Sequence, residues 1–143
     1  MKAALKVSMV CIAVLAGYIA PMLYNDWGAK STPPPAQQNR CLLSTEPCSL
    51  SGVSIRIGND YARPLTPLSI TVDWPNSQAP SLELRLKGVE MNMGSPRFKL
   101  DKVRNGVFKG TITLPACTQN EMTWVGQLTD GNQTVYPAIR MRK

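Results

Sequence analysis

Apolar and polar residues alternate in several short segments of this 143-residue chain, and this alternation constrains the fold most. Side chains on a β-strand point alternately to the two faces of a sheet, so such a segment buries one face and exposes the other. The segments with this pattern are 53–57, 68–73 and 82–87, and further strand candidates are 97–103, 107–114, 122–129 and 134–141. The sequence therefore predicts about seven short strands, with no convincing helix among them.

Two dipeptides between these segments are typical of hairpin turns. Asn105-Gly106 and Asp130-Gly131 each separate two strand candidates, and such pairs readily adopt the positive backbone angles that tight turns need. Short strands at regular spacing within roughly 100 residues favour a two-layer all-β fold. We expect an immunoglobulin-like β-sandwich of about seven strands over residues 41–143, and a small closed barrel is the alternative.

Residues 7–24 form an uncharged, mainly apolar run that follows the basic residues Lys2 and Lys6. As a helix it would be about 27 Å long, enough to cross the hydrocarbon core of a bilayer. The positive-inside rule then keeps residues 1–6 in the cytoplasm. We expect one transmembrane anchor in a bacterial inner membrane, a proline-rich linker at 25–40 and a periplasmic domain at 41–143.

Two kinds of processing compete with a retained anchor. A signal peptide cut after Ala20 would place Pro21 directly after the cleaved bond, which is unfavourable for cleavage. A lipoprotein cut before Cys11 would leave too few apolar residues after Lys6. The uncleaved anchor is therefore the preferred interpretation.

The net charge of +7 comes mainly from the second half of the chain. Residues 85–143 contain ten basic and four acidic side chains. Seven of the basic residues alternate with apolar ones: Arg85, Lys87, Arg97, Lys99, Lys102, Arg104 and Lys109. This pattern predicts solvent-facing strand positions, and attraction to anionic lipid or to an acidic partner is the alternative. Nucleic acid is not an expected partner, because no recognition motif is present.

The chain contains no histidine, which limits its catalytic chemistry. Ser-His-Asp and Cys-His nucleophiles, histidine-based zinc sites and the usual proton shuttle at neutral pH are excluded. No Cys-x-x-Cys motif is present either, which argues against a thiol-redox enzyme. We expect a protein without catalytic activity.

Three cysteines lie outside the predicted anchor. Cys41 and Cys48 enclose six residues, so a disulfide between them would close a short loop where the domain begins. A bridge from Cys117 to one of them is the alternative. If Cys117 is free, it is either a small buried apolar residue or a soft metal ligand.

Methionines accompany Cys117 in the second half of the chain. Met91 and Met93 follow the 82–87 segment, and Met122 follows Cys117 by five residues. Thioethers and thiolates are soft ligands suited to Cu(I), although methionine also commonly fills protein cores. If the two loops lie at the same end of the sheet, Met91, Met93, Cys117 and Met122 would form a Cu(I) site.

Three short motifs resemble the FixH and YtkA-like group of bacterial membrane-anchored periplasmic β-domains. They are GVEMNMG at 88–94, NGVFKGTITLP at 105–115 and the tryptophan in MTW. By position, Met91, Met93 and Gly94 match the methionine turn, Gly106, Phe108 and Gly110 match the hairpin, and Trp124 matches the core. The resemblance implies an immunoglobulin-like domain linked to copper handling or cytochrome oxidase assembly, with oxidase subunits or copper chaperones as partners. Because this chain lacks the histidines of copper-carrying relatives, only a sulfur site for Cu(I) is expected.

The leading functional hypothesis is thus a membrane-anchored periplasmic accessory or binding protein that handles Cu(I) in cytochrome oxidase assembly. The alternative is a metal-free structural or interaction subunit of an envelope complex.

Overall fold

The computed structural model describes residues 41–143. The predictions for residues 1–6, 7–24 and 25–40 lie outside the described residues. Within 41–143, no helix is long and apolar enough to cross a membrane.

The described residues form ten β-strands and no helix, which confirms the all-β prediction. The strands are β1 (Cys41–Leu42), β2 (Cys48–Leu50), β3 (Val53–Ile57), β4 (Leu68–Asp73), β5 (Ser81–Gly88), β6 (Arg97–Arg104), β7 (Val107–Ile112), β8 (Glu121–Thr129), β9 (Thr134–Val135) and β10 (Pro137–Arg142). Hydrogen bonds join them into one mixed sheet in the order β1-β10-β8-β5-β6-β7-β4-β3-β2, with β9 paired to β8. The sheet is nearly barrel-shaped.

The strands form one continuous sheet, whereas the sequence predicted about seven strands in two sheets. The pairing of β6 explains why the sheet is continuous. Its residues 97–101 pair with β5, whereas residues 101–104 pair with β7. The register shifts between Lys102 and Arg104, and such an irregularity bends a strand and increases its twist. The sheet therefore curves over its own core at β6 without ending there.

The strands β1 and β2 lie at the two ends of the strand order, and the segment between them connects these two ends. The Leu43 N–H donates to the Ala138 carbonyl oxygen at 2.7 Å, which ties this segment to β10. The Ile57 N–H donates to the Ser44 carbonyl oxygen at 2.9 Å, which ties it to β3. Neighbouring residues thus hydrogen-bond to both ends of the sheet and cover exposed strand edges.

The disulfide joins the same two edge strands. Cys41 in β1 and Cys48 in β2 are paired, with their Cα atoms 6.2 Å apart, and the third cysteine of the described part of the chain, Cys117, is buried and has no disulfide partner there. This confirms the preferred pairing over a bridge that includes Cys117.

Both predicted hairpins are confirmed. Gly106, between β6 and β7, has φ = 69°, and Gly131, between β8 and β9, has φ = 96°. The last predicted strand is split in two at Tyr136, because β9 pairs with β8 and β10 begins at Pro137. A chain with this spacing of turns must return repeatedly over the same core.

The alternating apolar residues point inward and form the core. The largest side chains that are less than 2% exposed are Trp124, Phe108, Leu43, Ile55, Ile70, Leu82, Leu84, Leu86, Leu100, Ile112, Leu114 and Met122. They come from most of the longer strands and from the segments beside them, so the core spans the inside of the curved sheet. Removal of this apolar surface from water is the main favourable term for the fold.

Candidate functional site

The loops that carry the predicted sulfur ligands lie at one end of the sheet. Gly88, the last residue of β5, is paired with Trp124, near the start of antiparallel β8. The loop of residues 89–96 leaves β5 at this end, and the loop of residues 113–120 enters β8 at the same end. We call Met91, Met93, Cys117 and Met122 the sulfur cluster, and the end of the sheet that carries these loops the sulfur end.

Met122 and the methionine loop meet at Gly88. The Met122 Cε atom and the Met91 carbonyl oxygen both lie so close to Gly88 that a Cβ atom there would collide with them. Met122 is 1% exposed and belongs to the core. The missing side chain at Gly88 thus opens the space in which the Met122 thioether and the Met91 backbone come together.

The methionine loop has a defined turn. The Gly94 N–H donates to the Asn92 Oδ1 atom at 3.2 Å, and Gly94 has φ = 78°, a conformation that glycine adopts without steric cost. Met91 and Met93 are half-buried and pack against the core. Both thioethers therefore lie between the protein interior and solvent.

Cys117 lies in the other loop, and its thiol makes a hydrogen bond within that loop. Its side chain is 9% exposed, and its thiol donates to the Gln119 carbonyl oxygen at 3.5 Å. The Lys143 N–H donates to the Asn120 carbonyl oxygen at 3.1 Å, and the Lys143 ammonium donates to the Thr118 carbonyl oxygen at 3.2 Å. The structure thus places Cys117 at the sulfur end in a loop tied to the residue that follows β10.

Met141 is a fifth sulfur residue at this end, and it was not among the ligands predicted from the sequence. It is 1% exposed and directly opposite Met122 in the β8–β10 register. Directly opposite residues of an antiparallel pair project from the same face, so both thioethers lie inside. The alternation of Ile139 and Met141 indicated an inward side chain, but only the register shows that its neighbour is Met122.

Glu90 connects the methionine loop to β8. The Thr123 N–H donates to its Oε2 atom at 2.7 Å, and the Val89 N–H donates to the Thr123 carbonyl oxygen at 2.9 Å. Burial raises the pKa of Glu90, but hydrogen bonds from Thr123 and its own N–H, together with the charge of Arg140, outweigh this and lower the pKa below its ordinary value. The ionised carboxylate thus holds the loop against the strand.

Trp124 carries an orphaned polar atom beside this region. Its side chain is fully buried, and its Nε1–H has no hydrogen-bond partner among residues 41–143. Trp124 is opposite Gly88 and two residues from Met122, on the same face of β8. A buried donor without a partner usually costs free energy, so this indole is an unusual feature at the edge of the sulfur cluster.

The donor set is soft. Among residues 41–143, no group of three or more histidine, cysteine, aspartate or glutamate side chains is placed to hold a metal ion. The sulfur cluster instead offers one thiol and three thioethers, which suit a soft monovalent ion better than a hard or borderline one.

Comparisons with protein-family models, with curated proteins and with solved structures found no match to this chain.

Proposed function

We propose that this protein is a membrane-anchored periplasmic binding protein whose sulfur cluster holds Cu(I). The observation that carries the proposal is the register of β5 and β8, which brings the methionine loop, Met122 and the Cys117 loop to one end of the sheet. The resemblance to membrane-anchored β-domains supports a role in supplying copper during cytochrome oxidase assembly. In the same proposal the fold is a variant of the immunoglobulin-like sandwich, in which β6 joins the two layers.

Charge balance favours a monovalent ion. Cys117 supplies one negative charge when deprotonated, and the thioethers of Met91, Met93 and Met122 are neutral. Together with Cu(I) the site is neutral, which suits residues that are buried or half-buried. A divalent ion would leave one uncompensated positive charge there, and no imidazole is available to favour Zn(II) or Cu(II). The site therefore selects by charge and by ligand softness.

Competition titration tests the proposal. The detergent-solubilised full chain, with Cys11 replaced by serine, is titrated with Cu(I) against a chelator under ascorbate, so that the Cys41–Cys48 disulfide stays intact and Cys117 is the remaining cysteine. We expect one ion to be retained per chain. The variant Met91→Leu, Met93→Leu keeps nearly the same volume and should lose at least about tenfold in affinity, since each removed ligand has no replacement.

The matched control is Met9→Leu, Met22→Leu, which removes two thioethers from the predicted anchor and should leave Cu(I) affinity unchanged. No retained copper, or an equal loss in both double variants, would contradict the proposal.

Exposed apolar residues favour a second candidate function, a metal-free interaction subunit of an envelope complex. Leu65 is 68% exposed with φ = 56°, a conformation that leucine rarely adopts, and its N–H donates to the Leu114 carbonyl oxygen at 2.8 Å. Val89, in the methionine loop, is 58% exposed. Both lie at the sulfur end. In this case Leu65→Ser, Val89→Ser would abolish co-purification of a membrane complex that Met91→Leu, Met93→Leu still binds.

A further inference from the structure

One outer surface of the sheet concentrates positive charge. We call the outward side chains Arg85 and Lys87 on β5, Arg97 and Lys99 on β6, and Lys109 on β7 the basic face. All five are exposed, and their strands are neighbours in the sheet. This confirms the predicted solvent-facing positions of these five residues, whereas Lys102, for which the same was predicted, is half-buried with its ammonium 5.7 Å from the centre of the Phe108 ring.

The carboxylates on this surface do not balance the cations. Glu83 lies 2.6 Å from the Arg85 Nε atom and 4.0 Å from the Arg97 Nε atom, so two guanidinium groups share one carboxylate. The Lys99 ammonium lies 2.7 Å from Asp101. Two carboxylates against these five cations leave an excess of three positive charges on the basic face.

The arrangement of the arginines adds to this excess. Arg85 and Arg97 are directly opposite each other in the β5–β6 register. Like charges at directly opposite positions destabilise a strand pair, and the single charge of Glu83 offsets only one of the two guanidinium groups. Two guanidinium forks at neighbouring positions are well suited to bind phosphate oxygens.

We propose that the basic face docks on the anionic phospholipid headgroups of the membrane that carries the anchor. This inference rests on the proposed function for the anchor alone and is independent of copper. A 16-residue linker at 25–40 spans roughly 50 Å when fully extended and roughly 20 Å as a coil, so the domain stays within reach of the bilayer. Clusters of basic side chains near anionic lipid are attracted to its surface.

Docking would also orient the sulfur end. The basic face is the side of three strands, so contact with a flat membrane lays these strands along the bilayer plane. The sulfur end, where β5 finishes and β8 begins, then points sideways along the membrane. If the sulfur end also holds copper, an acceptor would be reached beside the domain at the membrane surface rather than across the periplasm.

Lysine footprinting of the full chain in proteoliposomes tests the docking. Vesicles of phosphatidylcholine alone are compared with vesicles that contain about 30% phosphatidylglycerol. We expect acetylation of Lys87, Lys99 and Lys109 to slow by about threefold or more in the anionic vesicles, with Lys143 unchanged, and the protection to disappear in about 0.5 M salt. Equal labelling in the two lipids overturns the proposal. Native membranes are labelled in parallel, and protection there without protection in the anionic vesicles also overturns it, because it would indicate an acidic protein partner.

Two variants of equal charge make the test specific. Arg85→Gln, Arg97→Gln should lose the protection, whereas Arg63→Gln, Arg140→Gln should keep it. Equal loss in both variants would indicate attraction by net charge alone and overturn a defined face. Loss of protection on addition of inorganic phosphate at constant ionic strength would indicate a site for free phosphate. Cu(I) titration of the Arg85→Gln, Arg97→Gln variant should match wild type, so failure of this proposal is distinguishable from failure of the copper proposal.

Discussion

Replacement of Cys41 and Cys48 by alanine should destabilise the domain by a predictable amount. The bridge closes a loop with a sequence separation of 7 residues. The chain-entropy relation for a loop of this size gives about 2.4 kcal/mol of stabilisation. In the folded domain the bridge joins β1 to β2, the two strands at which the sheet order ends. We expect the free energy of unfolding to fall by about that amount.

Urea unfolding of the detergent-solubilised protein, followed by far-ultraviolet circular dichroism, measures the loss. Wild type in reductant should unfold like Cys41→Ala, Cys48→Ala, and reductant should not affect the double variant. Cys117→Ala is the matched control. It should lose about 1 kcal/mol from its buried site in oxidising and reducing conditions alike, and it should keep the sensitivity to reductant. Unchanged stability of the double variant, or loss of reductant sensitivity in Cys117→Ala, would refute the reasoning.

Three further predictions concern the sulfur end. Because its pKa is lowered, Glu90 stabilises the loop above about pH 4.5 and loses this effect as the pH falls below that value. The protection factor for hydrogen exchange at Val89, which corrects for the intrinsic pH dependence of exchange, should therefore fall there but show no such step in Glu90→Gln. Gly88→Ala should cost about 1 to 3 kcal/mol in urea unfolding, because the new Cβ displaces Met122 or the Met91 carbonyl. Cu(I) should change the fluorescence of Trp124, which lies opposite Gly88, in a Trp27→Phe, Trp74→Phe background that leaves Trp124 as the remaining tryptophan; an unchanged spectrum would place the ion elsewhere.

The sequence predicts the longer strands well because their pattern is local. In β3, β4 and β5 every second residue is buried, so the period-two signal is complete within each strand. The turns at Gly106 and Gly131 depend on neighbouring residues alone. The strands β1 and β2 contain 2 and 3 residues, too few to show a period, and were therefore missed.

The joining of the strands into one sheet is not a local property. The exchange of partners along β6 depends on the register of three strands and on the irregularity between Lys102 and Arg104. No residue type in this segment marks such a change. A count of strands therefore predicted separate layers where the hydrogen bonds form one curved sheet.

The same division applies to the candidate site. Antiparallel strand order, which strand counting favoured but did not require, places the two loops at one end, and the β5–β8 register shows this arrangement. The closeness of Met122 and Met91 depends on the absent side chain at Gly88, and the proximity of Met141 depends on the β8–β10 register. Neither can be seen from the spacing of methionines in the chain.

X-ray absorption at the copper edge of the Cu(I)-loaded full chain, with the Cys41–Cys48 disulfide intact, tests the central claim most directly. The account predicts a first shell of sulfur alone at about 2.3 Å, the distance typical of metal–thiolate bonds, with fewer sulfur neighbours in Met91→Leu, Met93→Leu. A first shell dominated by nitrogen or oxygen, or one that this double variant leaves unchanged, would contradict the assignment of Cu(I) to the sulfur cluster.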